Sequence, residues 1–156
     1  MAVDLKSLRT VIDTATTRRD NAGAALAFAR QQLAQGQAQL KQLADSVDEG
    51  QGKWTHRAAQ GVTVVLMQHQ RQFMDKIQAA IDFQHNVLTQ RQAQVDRALQ
   101  ALQAAEIALA KVKKVEQITL AEKALKANKA EQKLNDEMAM SMLAYQRRET
   151  HTETRT

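Results

Sequence analysis

From Leu5 the chain can be walked in alternating steps of three and four residues through Leu8, Ile12, Ala15, Arg19, Ala22, Leu26, Ala29, Leu33, Gly36, Leu40, Leu43 and Val47. That walk meets one charged residue and one glycine. A repeat of 3.5 residues describes the narrow seam of helices wound on one another, not the broader apolar face of a helix against a globular core. A second walk of the same kind runs through Met74, Ile77, Ile81, Gln84, Leu88, Arg91, Val95, Ala98, Leu102, Ala105, Leu109 and Val112. Between the two lies Arg57-Ala-Ala-Gln-Gly61, and Gly61 suits the left-handed position that ends a helix.

Folding the chain back near residue 60 brings the two walks into a single register. Opposed residues then have numbers summing to 120 or 121. Leu40 meets Ile81, Leu33 meets Leu88, Leu26 meets Val95, and Ile12 meets Leu109. In alternate layers Leu43 meets Ile77, Gly36 meets Gln84, Ala29 meets Arg91, Ala22 meets Ala98 and Leu8 meets Val112. Long polar side chains fall opposite the smallest residues, where they can cross the seam and reach water. Toward the turn the same register puts Trp54 beside Met67. The expectation is an all-α fold, a long antiparallel two-helix coiled-coil hairpin whose second helix is longer than the first. It is a single coiled-coil domain over 1–156, with a helix over about 4–58, a turn over 59–62, a helix over about 63–146, and frayed residues over 147–156.

Composition agrees. The chain has no proline, five glycines and five aromatic residues among 156, so a thick core is not available to it. It has no cysteine, which removes disulfides and thiolate metal sites. The N-terminus lacks the apolar segment of a signal peptide, and no run of about 18 apolar residues exists to span a membrane.

Past Glu116 the first helix has no residues left to offer. Leu120, Ala124, Ala127, Glu131, Leu134 and Met138 continue a shifted stripe, the shift being a stutter in the heptads. This overhang therefore calls for another protein. Leu66, Phe73, Ala80 and Val87, with Phe83 nearby, recur beside the seam. They either widen it or form an exposed docking face centred on Phe73. The net charge is +5, and seven lysines face three glutamates between Lys111 and Lys133. The plain reading of that stretch is a solvated helix face. A nucleic-acid contact is the alternative, and no interleaved aromatics support it.

Nothing in the chain assembles into a catalytic constellation. The four histidines, His56, His69, His85 and His151, lack ligand spacing. Gly50-Gln-Gly-Lys53 lacks the first glycine of a phosphate loop and has Trp54 where Ser or Thr belongs. The carboxylate neighbours Asp48-Glu49 and Asp136-Glu137 point apart on a helix. No enzyme activity, metal or cofactor is expected.

Three stretches resemble the FliJ family and its YscO-type relatives of type III secretion. They are Gln39-Leu-Lys-Gln-Leu43 followed by Asp45; Gly61 with Gln72-Phe73 beyond it; and Glu131-Gln-Lys133 followed by Asp136-Glu137. The resemblance implies a non-enzymatic component of the flagellar export apparatus, cytoplasmic and peripheral to the inner membrane, held there through its partners only. It would bind the FliI-like export ATPase hexamer as a rotary-ATPase stalk does, and would contact the FlhA-like export gate and export chaperones. Matching the family's gate-contacting face are Gln39, Leu43, Phe73, Ile77 and Ala80. The ATPase contact would fall on the overhang, at Leu120, Gln132, Lys133, Leu134, Asp136, Glu137 and Met138. The chain departs from the family at Ser46 and Gly50, where aromatics are usual, and at Gln84, where a histidine is usual and His85 stands next to it. A generic coiled-coil scaffold or chaperone of another secretion system is the alternative function, and no nucleic-acid partner is expected.

Overall fold

The computed structural model describes residues 4–155. They form two helices, α1 (Leu5–Ala58) and α2 (Val64–Glu153), joined by a short turn into an antiparallel hairpin. Residues 1–3 and 156, which the expected domain included, lie outside the described part.

Both starts and the turn have local causes. Asp4 caps α1: its Oδ1 accepts from the Lys6 amide at 3.1 Å, and its Oδ2 accepts from the Ser7 hydroxyl at 3.3 Å. Thr63 caps α2 by accepting the Leu66 amide on Oγ1 at 3.2 Å. Between them Gly61 has φ = +93°, and its amide donates to the Ala58 carbonyl at 3.1 Å. A side chain at that φ is strained, so the glycine fixes where α1 stops.

The chain divides into two compact units. The larger, residues 15–108, contains the turn and most of the seam. Its best-buried cluster is Leu26, Ala29 and Val95, with Leu33, Ala98 and Leu102 packed against them. Leu26 against Val95 is the pair expected from the register. Gln84, the buried polar residue of the seam, donates through Nε2 to the Gly36 carbonyl at 2.9 Å and to Gln39 Oε1 at 3.2 Å. A Cβ on Gly36 would stand 2.8 Å from Leu88 Cδ2, so the absence of a side chain there lets the helices close around Gln84. Seven residues on, Arg91 lies half-buried and donates to Gln32 Oε1. Arg19 is half-buried in the seam and pairs with its neighbour Asp20 at 2.8 Å, so its stem packs while its charge is met.

In the smaller unit, residues 4–14 pair with the start of the segment 109–155. Leu8 and Leu109 are buried there, with Ile12 and Val112 half-buried. Every position of both heptad walks is buried or half-buried.

Three details differ from the sequence reading. At the turn, Leu66 and Gln70 rather than Met67 occupy the seam with Trp54; Met67 is 53% exposed. Four-residue steps from Met74 back to Val62 carry the seam one position around α2. At the other end the regular walk extends through half-buried Glu116 and Thr119, and Leu120 lies outside it. Lastly, α2 continues to Glu153, past the expected end at 146. Thr150 and Thr152 satisfy their hydroxyls on the Gln146 and Arg148 carbonyls of their own helix at 3.2 and 2.6 Å, so their polarity does not oppose the helix.

Candidate interaction surfaces

What this architecture can do is set by what it leaves uncovered. From Leu120 to Arg155 every described residue is exposed. At 100° per residue, Leu120, Leu134 and Met138 fall on one face of α2, and Met142 and Tyr145 extend it. All five are between 48% and 65% exposed. At the same angle per residue, Gln132, Lys133, Asp136 and Glu137 fall on the far side of α2, about 100–160° from this stripe. The seven residues expected to meet an ATPase therefore run around the helix rather than along one face. An uncovered stripe of this length is unusual for a helix without a partner.

The second set lies in the larger unit, where the seam divides it. Leu43 and Ile77 are half-buried seam residues, and each presents only an edge. Gln39, Phe73 and Ala80 are exposed, Phe73 by 54%. Gln39 is also tied to the seam, since its Oε1 accepts from Gln84. Of the residues beside the seam, Leu66 and Val87 are half-buried and widen it, while Phe73, Ala80 and Phe83 stand outside. Sequence reasoning did not single out Phe28 (64% exposed) or Ile107 (57% exposed); both lie outside the heptad walks, which was the available signal.

Among the described residues no group of histidine and acidic side chains is placed to hold a metal ion, and no helix is long and apolar enough to cross a membrane. The chain matches the family model described as flagellar FliJ protein over residues 5–150, nearly its whole length. It belongs to the FliJ family. FliJ-family proteins are non-enzymatic components of the flagellar export apparatus. No curated protein matches the chain significantly.

Proposed function

We propose that this FliJ-family chain is the stalk-like subunit of the export ATPase. The α2 overhang enters the ATPase hexamer and meets it on all sides, through Leu120, Leu134 and Met138 on one face and Gln132, Lys133, Asp136 and Glu137 around the rest of the helix. Binding promotes assembly and activity of the ring. In the larger unit, Gln39, Leu43, Phe73, Ile77 and Ala80 contact the export gate, so that one coiled coil couples the two machines and hands over chaperones. Its place is cytoplasmic, at the membrane-proximal base of the flagellum. The observation that supports this reading is the exposed apolar stripe of α2 beyond Thr119, which no described residue covers.

The mechanism is associative. A stripe of large apolar side chains contributes binding energy by leaving water, and the charges around the rest of the helix select orientation within the ring. The test is the ATP hydrolysis rate and hexamer fraction of the cognate export ATPase with the full chain and with a chain ending at Thr119. Stimulation by the full chain alone supports the stalk reading. No effect of a well-folded full chain on either quantity overturns it, in favour of a scaffold or chaperone serving another system.

A further inference from the structure

Between Glu49 and Asp75 the chain has no acidic residue. The same stretch holds Lys53, Arg57 and Arg71, all exposed, together with His56 and His69. Lys53 makes an exposed ion pair with Glu49 at 3.1 Å, just outside the stretch. This acid-free segment is the hairpin tip: the last two turns of α1, the turn at Gly61, and the first turns of α2.

The tip also exposes apolar side chains. Val64 and Val65, the first two residues of α2, are 70% and 62% exposed, and Met67 is 53% exposed. Thr63 caps one amide of that first turn, and the remaining start-of-helix amides favour negative charge. Trp54, half-buried, stands on the last turns of α1 beside this cluster. Along the axis apolar and basic side chains alternate: with Trp54 level with Leu66, Arg57 stands nearer the turn than Val64 and Val65, and Lys53 is level with Met67. Arg57 lies next to the turn, and Lys53 and Arg71 follow at roughly 7–10 Å, at 1.5 Å per helical residue.

We infer that the hairpin tip docks on an anionic phospholipid bilayer. Val64, Val65 and Met67 enter the acyl boundary, and Arg57, Lys53 and Arg71 meet the headgroups. The long stems of Arg57 and Lys53 let their charges reach back to the headgroups while the aliphatic side chains beside them enter. Tryptophan one residue from Lys53 belongs at such an interface. The three basic side chains supply the attraction that a few aliphatic residues cannot supply alone. This contact does not depend on the stalk reading, because none of its residues lies on the overhang.

Trp54 is the sole tryptophan of the chain, so the tip reports on itself. The full-length protein is titrated with vesicles of 70:30 phosphatidylcholine and phosphatidylglycerol while Trp54 emission is followed. Quenching by brominated lipid is measured in parallel. The expected result is a saturable blue shift with quenching, absent with pure phosphatidylcholine and reversed by high salt. Replacing Lys53, Arg57 and Arg71 together by Gln should weaken partitioning roughly 100-fold, at about fivefold for each basic residue near an anionic surface. The pair Val64→Asp and Val65→Asp should abolish quenching with helicity unchanged. Changing Lys126, Lys129 and Lys133 to Gln should leave the Trp54 response intact. Three results overturn the inference: no binding to anionic vesicles, binding without any change in Trp54, or a Trp54 shift produced by an acidic polypeptide but not by vesicles. The last would make the tip a protein-docking site.

Discussion

Leu26 and Phe28 lie two residues apart on α1 and make opposite demands on the structure. Leu26 is 5% exposed in the best-packed cluster of the seam, and Phe28 is 64% exposed. Truncating Leu26 to Ala removes a buried side chain that touches Val95 and Ala29. Such changes cost about 2–5 kcal/mol in compact cores. A two-helix seam is one layer deep and can settle inward, which places Leu26→Ala near the lower end, about 2–3 kcal/mol. For a chain of this length that is a fall of roughly 5–10 °C in Tm. Phe28→Ala removes the larger group yet should shift stability by about 0.5 kcal/mol or less, in either direction, because most of that ring is already in water and Ala is the better helix former. Helical circular dichroism against temperature, and against urea with the m-value checked, measures both variants. Equal losses for the two, or a Leu26→Ala cost below about 0.5 kcal/mol, would refute the register itself and not merely one contact.

Gly61→Ala should destabilise by about 1–2 kcal/mol through the left-handed backbone alone, since a Cβ there meets nothing within 4 Å; urea midpoints check it, with helicity unchanged. Leu33→Pro breaks α1 in mid-seam, at a cost of about 3 kcal/mol or more, and should abolish export in a complementation assay. Normal export by that variant would show that the proposed coupling does not need an intact first helix.

How much of this was legible in the sequence depended on which atoms do the deciding. The seam could be read residue by residue because both partners, such as Leu26 and Val95 or Gly36 and Gln84, are written in one chain with complementary sizes. Gly61 was legible because a single dihedral demands it. The step at the turn was not: Leu66 and Met67 are both large and apolar, and the choice between them follows from how the last turns of the two helices meet. The helix end past Gln146 was missed because a threonine-rich, charged segment reads as frayed, whereas Thr150 and Thr152 bond to their own helix. The overhang was legible as an uncovered stripe. The occupant of such a stripe is encoded in another molecule, so residues such as Gln132 and Asp136 took their assigned role from family resemblance. Phe73 stands between these cases: its exposure followed from a thin fold, and its partner did not.

The Gly36–Gln84 layer also bears on how the chain avoids the wrong pairing. A slip of one heptad would set Gln84 against Leu43 or Ala29 and take its amide from the Gly36 carbonyl, leaving a buried polar group unmet. Two first helices running parallel in register would face glycine with glycine and leave a hole. Two second helices would stack Gln84 and Arg91 on their own copies. The layer therefore works as proofreading: a newly made chain finds every alternative partner, including its siblings, worse than itself, and so closes into a hairpin before its free stripe is offered to anything else.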